Sequence, residues 1–340
     1  MIVTLGEIML RLKAPGAERF LQTNKLESTF GGGEANVAVA LSSLGKKARF
    51  VTALPKNDIT DALKRELKGF GVDTDFIAEA DGRLGIYFLE AGANQRPSKV
   101  IYDRAHSSIS MVSPDALALK EAFLDASWFH ITGITPALSE SAAALSLAAV
   151  KTAKELGLTV SCDLNYRKNL WKYGKSAAEV MKTLMPYVDV LIANEEDAQK
   201  SLGIKSQSNV EGGSLDALHY KDIAVQITEH FPNVSTVAIT LRESISADHN
   251  VWSACIYQGG EFASSKKYNI TDIIDRVGGG DSFAAGVIYG LTTYDTAAEA
   301  LEFAVAISCL KHSIPGDYCR TTKEEVLALL KSGGSGRISR

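Results

Sequence analysis

Short β-rich runs alternate with amphipathic helical runs along most of this 340-residue chain. The strand-like runs are Ile2–Leu5, Arg49–Ala53, Trp128–Thr132, Thr159–Asp163, Val188–Ala193 and Thr236–Leu241. Between them the apolar residues take helical spacing over Glu34–Leu44, Asp58–Gly69, Ser139–Leu156, Lys175–Met185 and Asp216–His230. This order leaves few folds open. A strand, a helix and a returning strand make a right-handed crossover, so the strands lie parallel with helices on both faces. The expected class is α/β, a doubly wound, mostly parallel sheet. Ligands of such sheets bind beyond the carboxyl ends of the strands.

Two segments interrupt the alternation. Leu10–Thr29 and Leu84–Asp103 carry short alternating stretches with no helix between them. Gly85–Glu90 and Lys99–Asp103, separated by a polar loop, have the pattern of a hairpin. Both segments read as strands of a small sheet that covers the ligand site as a lid; an edge extension of the main sheet is the alternative. The last third is helical over Gly280–Tyr289, Thr296–His312 and Thr321–Leu330. Residues 331–340, with Ser332-Gly-Gly-Ser-Gly336, have linker composition and predict a flexible tail. Residues 1–330 then make one domain, with lid segments at about 10–29 and 84–103.

Charge excludes one class of partner. Lys and Arg number 36 against 40 Asp and Glu, so the chain lacks the basic excess that displaces counterions from nucleic acid. No run nears the ~20 apolar residues of a membrane helix. Neither nucleic acid nor a membrane is expected as a partner. The start, MIVTLGEIML, has no cationic leader and reads as a first strand. Cys162, Cys255, Cys309 and Cys319 form no CxxC pair, which argues against zinc. Reduced thiols without an export signal predict the cytoplasm.

The segment with the most chemistry in it is Asp275-Arg-Val-Gly-Gly-Gly-Asp-Ser-Phe-Ala-Ala-Gly286. Gly278, Gly279 and Gly280 precede Asp281 and an apolar helix. A backbone without Cβ atoms comes close to a ligand. Unpaired N–H groups at a helix start present the positive end of its dipole, which suits phosphate or a phosphoryl group in flight. Asp281 suits a base that takes the proton of an attacking hydroxyl. The same residues also suit a turn and a plain helix cap. No Lys-Ser/Thr follows, so this is not a Walker A loop. A second glycine run, Phe30-Gly-Gly-Gly-Glu-Ala-Asn36, feeds another apolar helix. Gly31–Gly33 leave room for substrate hydroxyls, and Asn36 offers a hydrogen bond; a tight strand-to-helix turn is the structural alternative.

In this order the two segments resemble the two signatures of the ribokinase-like (PfkB) carbohydrate kinases. The resemblance runs from Gly6-Glu7 to about Pro315-Gly-Asp317. It implies a Rossmann-like core with a β-lid, transfer of phosphate from ATP to a sugar, Mg2+ as a cofactor, and Asp281 as catalytic base beside Gly278–Gly280. Within the family the chain is most similar to 2-keto-3-deoxygluconate kinases. The segments behind this are Gly6-Glu7, Tyr102-Asp-Arg104, His130-Ile-Thr-Gly-Ile-Thr-Pro-Ala-Leu138 and Asp163-Leu-Asn-Tyr-Arg167. The implied substrate is 2-dehydro-3-deoxy-D-gluconate, phosphorylated at its terminal hydroxyl. A sugar acid's carboxylate suits the planar fork of arginine, here Arg104 and Arg167. The first-strand Asp of ribokinases has no counterpart in Ile8-Met9-Leu10.

The resemblance puts Gly32, Gly33, Asn36, Tyr87, Tyr102, Arg104, Arg167 and Asp317 around the substrate. Plain structural readings stand beside these: a cross-strand pair for the tyrosines, a solvated surface charge for Arg104, a salt-bridge partner for Arg167, a turn cap for Asp317. On the ATP side it implies Asn165, Thr240, Arg242, Gly278 and Gly280. Asn194-Glu-Glu-Asp197 resembles the family's Asn-x-x-Glu element, which positions magnesium through water. Asp197 is one methylene shorter, with Glu195 or Glu196 as compensating carboxylates. Thr240–Ser246 lacks the family's glycine, so a longer, differently shaped nucleotide loop is expected. Rival functions are a kinase of a neutral sugar such as fructose and a non-catalytic sugar- or nucleotide-binding regulator. An intact Asp281 and glycine run argue against the regulator. Exposed lid edges predict a homo-oligomer, a dimer joined through the lids.

Overall fold

The computed structural model describes residues 1–194, 196–204 and 217–332. Strand β1 (Ile2–Leu5) leads into β2 (Met9–Lys13) and β3 (Glu27–Gly31). Helix α1 (Gly33–Ser43), β4 (Ala48–Leu54), α2 (Asp58–Gly69) and β5 (Ile77–Glu79) follow. Next come β6 (Gly85–Glu90), β7 (Lys99–Asp103) and the short helices α3 (Ser108–Met111) and α4 (Leu119–Phe123). The alternation resumes with β8 (Trp128–Thr132), α5 (Glu140–Glu155), β9 (Thr159–Asp163), α6 (Ala177–Leu184), β10 (Val190–Asn194), α7 (Ala217–His230) and β11 (Thr236–Ser244). Strands β12 (Asn250–Gln258), β13 (Glu261–Ser264) and β14 (Tyr268–Ile270) precede α8 (Gly279–Leu291), α9 (Ala297–Lys311) and α10 (Lys323–Ser332).

Local chemistry sets several helix starts. Asn57 with Thr60, Ser176 with Glu179 and Thr296 with Glu299 form capping boxes at α2, α6 and α9. Each such cap contributes ~1 kcal/mol. The main sheet has the order β13-β12-β11-β10-β9-β8-β1-β4-β5, with β14 also on β12. Neighbours from β5 to β11 are parallel. Alternate strand residues feed two apolar layers. Ile192 and Ala238 pack with α1, α8 and α9 residues, while Leu191 and Val237 pack with α5, α6 and α7 residues. The chain leaves β1 toward β4 and later returns on its other side as β8, a reversal that opens a crevice at the carboxyl ends.

The two interrupting segments form a separate four-stranded sheet, order β3-β2-β6-β7, and not an extension of the main one. Among the described residues strand β7 pairs only with β6, and it is exposed along its length.

One expectation needs correction. No extended nucleotide loop follows Thr240. Strand β11 continues to Ser244 and returns as β12, with Ser244 opposite Asn250. Residues 331 and 332 complete α10; the rest of the expected tail, like Asp216, lies outside the described residues. No helix among the described residues is long and apolar enough to cross a membrane.

Candidate active site

A cavity of about 490 Å³ lies where the carboxyl ends of the parallel strands meet the start of α8 and the small sheet. It gathers nearly every residue nominated from the sequence: Gly32, Gly33, Asn36, Tyr87, Tyr102, Arg104, Asn165, Arg167, Glu196, Asp197, Thr240, Arg242, Gly278, Gly280, Asp281 and Asp317. Gly279 is the exception. It turns toward His312, whose ring a Cβ there would meet at 3.0 Å.

Glycine is required at Gly278 twice over. Its φ is +83°, and a Cβ would stand 2.0 Å from the Asp317 carbonyl oxygen. Helix α8 starts immediately after it and carries Asp281 in its first turn. The other glycine run approaches from α1. A Cβ on Gly32 would strike the Glu7 carbonyl at 2.0 Å, and one on Gly33 would lie 3.6 Å from Asp281 Oδ1. Asn36 Nδ2 donates to Asp281 Oδ2 at 2.6 Å. Gly280 has nothing within 4 Å of its missing Cβ, so its face is open to the cavity.

Asp281 is half-buried and lines the cavity. Burial pushes its pKa up to about 6, with nearby Asp317 acting in the same direction. The Asn36 hydrogen bond and the charges of Arg167 and Lys311 work against that rise. A carboxylate so placed is poised to accept a proton near neutral pH.

Sequence reasoning missed what stands under the site. Arg11 on β2 is 1% exposed, and its guanidinium bridges Asp275 and Asp317, the latter at 2.6 Å. Tyr87 donates its hydroxyl proton to Asp317 Oδ1 at 2.6 Å. Asp275 Oδ2 also accepts the N–H of Gly316 at 3.1 Å. Asp317 is therefore no simple turn cap: it ties the small sheet to the start of α8. Tyr87 and Tyr102 are also the cross-strand pair the pattern suggested, with ring centroids 5.8 Å apart. The available signal was a charged residue inside the apolar run Met9-Leu-Arg-Leu12.

Arg104 and Arg167 share the cavity but not their partners. Arg104 Nε donates to Glu7 Oε2 at 2.7 Å, and its Nη2 pairs with the same oxygen. Its guanidinium also lies 5.2 Å from the Tyr102 ring centre. Arg104 is thus already paired, where the sequence suggested a guanidinium free for a substrate. Among the described residues Glu7 Oε1 is buried without a partner. Arg167 donates to the Tyr166 carbonyl at 3.1 Å, and its charge acts on Asp163, Asp197 and Asp281.

The other end of the cavity is held by loop-to-carboxylate bonds. Asp163 accepts the backbone N–H of Asn165 at 3.1 Å, which supports the φ of +40° there. Asp197 accepts the N–H groups of Tyr166 at 3.0 Å and Asn194 at 2.9 Å, joining the ends of β9 and β10. Burial raises the pKa of both carboxyls, and Asp163 is raised further by Asp197 and Asp281. Arg276, another residue missed from the sequence, lines the cavity with Arg242. Burial and the Arg242 charge lower its pKa. Among the described residues no group of three or more His, Cys, Asp or Glu side chains could hold a metal directly. Glu196 is exposed, and Glu195 lies outside the described residues.

A glycine-flanked helix start, a carboxyl raised toward neutral pH and a second glycine loop under a small sheet fit a carbohydrate kinase. The chain belongs to the pfkB family of carbohydrate kinases, whose profile matches residues 1–321. Within that family it is 33% identical over 335 residues to 2-dehydro-3-deoxygalactonokinase of Haloferax volcanii, covering 98% of each chain. The crystal structure of 2-dehydro-3-deoxygluconokinase from Thermotoga maritima matches with a TM-score of 0.91 at 49% identity, over 97% of this chain and 98% of that one. Fructokinase of Xylella fastidiosa with bound ATP shares the fold at 20% identity and a TM-score of 0.78, over 98% of each chain.

Proposed function

We propose that this kinase phosphorylates 2-dehydro-3-deoxygluconate at its terminal hydroxyl, using ATP. The observation that carries the reading is that Arg104 and Arg167 line the same cavity as Asp281. A sugar acid presents a carboxylate to the arginines and a hydroxyl to the base. The Haloferax volcanii and Thermotoga maritima relatives, 2-dehydro-3-deoxygalactonokinase and 2-dehydro-3-deoxygluconokinase by name, support that class. In the reaction the hydroxyl oxygen attacks the γ-phosphorus and Asp281 takes the hydroxyl proton. The bond to the β-phosphate bridging oxygen breaks, and ADP leaves. The N–H groups of Gly278 and Gly280 would face the charge on the transferring group, while that of Gly279 is taken by the Arg276 carbonyl at 3.2 Å. Asn165, Thr240, Arg242 and Arg276 would lie toward the nucleotide.

Magnesium fits the donor chemistry. Asp197 and Asp281 raise the pKa of Asp163, a repulsion that a cation would relieve. Asp197 is occupied by two backbone N–H groups, so Asp197 and Glu196 would hold the ion through water. A bound magnesium ion would neutralise charge on the β- and γ-phosphates.

Residues 1–330 would work as one domain with the four-stranded sheet as its lid. Val100, Ile101 and Tyr102, exposed on β7, suit a homodimer joined through two lids. Four free thiols suit the cytoplasm.

The Glu7–Arg104 pair favours one second reading, a neutral ketose whose hydroxyls bond to both members of the pair. ADP release with ATP and magnesium, measured on 2-dehydro-3-deoxygluconate, its galacto epimer and fructose, separates the two. The proposal expects the highest kcat/KM on a sugar acid. A preference for fructose overturns it.

A further inference from the structure

One charged group with no part in this mechanism lies wholly inside the protein. Lys311, at the end of α9, is 0% exposed. Its Nζ donates to the carbonyl oxygens of Asp275 at 3.3 Å and Ile314 at 3.0 Å. Its Cε lies 3.3 Å from the position of a Cβ on Gly278. An ammonium is expensive to bury, and two neutral carbonyls compensate it incompletely. A Leu or Met would pack at this helix position without that cost.

The two carbonyls belong to the loops that shape the active site. Asp275 opens the loop that leads through Gly278 into α8, which carries Gly280 and Asp281. Ile314 opens the loop that delivers Gly316 and Asp317. The charged or titratable groups acting on Lys311 are Asp275, Asp317, Cys319 and Arg11. Those acting on Asp281 are Asp317, Arg167 and Lys311, with the Asn36 amide bonded to it. The neighbouring His312 donates its Nδ1–H to the Ser308 carbonyl at 2.7 Å, and the charges of Lys311, Arg276 and Arg242 act on it.

We propose that Lys311 is a positioning residue for phosphoryl transfer. Its ammonium pins the 275–280 loop to the 314–317 loop and sets a fixed positive charge behind the start of α8. The inference rests on the kinase reading but not on the identity of the sugar.

The test compares Lys311→Met and Lys311→Gln with wild type, using whichever sugar the wild-type enzyme phosphorylates fastest. A wrong substrate assignment therefore leaves this test intact. Hydrogen exchange across 275–281 and 314–317 is measured without any substrate. Both variants should melt cooperatively and exchange faster in the two loops. Their kcat should fall about tenfold or more, the size expected for a lost charge-assisted hydrogen bond, with KM for the sugar much less affected. The acidic limb of the pH profile should move to higher pH, because a positive charge near Asp281 is gone. Ammonium or methylammonium ions should partly restore Lys311→Met and leave Asp281→Asn inactive. Unchanged kcat and pH limb overturn the proposal. So does a loss of kcat with unaltered exchange and no rescue by amines. If neither variant folds, Lys311 serves the fold alone and the proposal is wrong.

Discussion

Asn36 donates its side-chain amide proton to Asp281 at 2.6 Å, across 245 residues of sequence. The bond holds the two glycine loops against each other and favours the charged form of the base. Burial opposes it, and the balance leaves Asp281 at about 6.

A base must be deprotonated to work. The kcat/KM profile should therefore fall on the acid side with a limb near 6. Asn36→Leu removes a bond to the charged form, so its limb should lie at higher pH. A pH–rate profile of both proteins checks this. A limb unmoved by the substitution would separate Asn36 from the ionisation of Asp281.

Arg104 and Arg167 should distinguish substrates. In the complex the substrate carboxylate would be the partner of these arginines, and truncating one member of a charged pair buried there costs ~2–5 kcal/mol, so Arg104→Ala or Arg167→Ala should lower kcat/KM for the sugar acid by ~30-fold or more. Activity on a neutral ketose should fall much less. Arg167→Lys keeps charge but loses the fork, and should also be impaired. Equal losses on both substrates would mean that the arginines hold the loops or ATP and not the carboxylate.

Glu34 sets a pH dependence of stability. It is wholly buried, and its Oε1 accepts from Thr132 N at 3.0 Å and from the hydroxyls of Thr132 and Thr135 at 2.8 Å each. Burial still pushes its pKa from 4.5 up to about 7. The folded protein thus favours the protonated acid. This contribution is complete below the unfolded value of 4.5 and is lost as pH rises through about 7. Its full size is ~3 kcal/mol at 1.36 kcal/mol per unit. Glu34→Gln keeps the accepting oxygen and cannot ionise. Denaturant unfolding should show wild type losing stability relative to Glu34→Gln as pH rises through this range. Parallel curves would contradict the assignment.

The parallel core was legible because its signals are local. The 3.6- and 2-residue periods and the turns between them predict β1, β8 and β9 to the residue. The glycine runs announced the site because no other residue fits Gly278 or Gly32. The antiparallel edge was not legible. The turn between Ser244 and Asn250 contains no glycine, and Val251–Tyr257 carries no clean alternation. The ion pairs were hidden for a different reason. Arg11 finds Asp275 and Asp317, and Arg104 finds Glu7, only after distant segments fold together. A sequence shows that such charges exist, but not which partner takes each one.

The assignment of Asp281 as the base of a sugar kinase is tested most directly by Asp281→Asn. The substitution preserves size and hydrogen-bonding capacity while removing the proton acceptor. ADP release with ATP, magnesium and 2-dehydro-3-deoxygluconate should show kcat reduced by ~10²-fold or more, the low end for loss of a general base. ATP binding, followed by calorimetry on the same preparation, should be largely kept. Near-normal turnover in the variant would contradict the mechanism and leave Asp281 as a residue that merely starts α8.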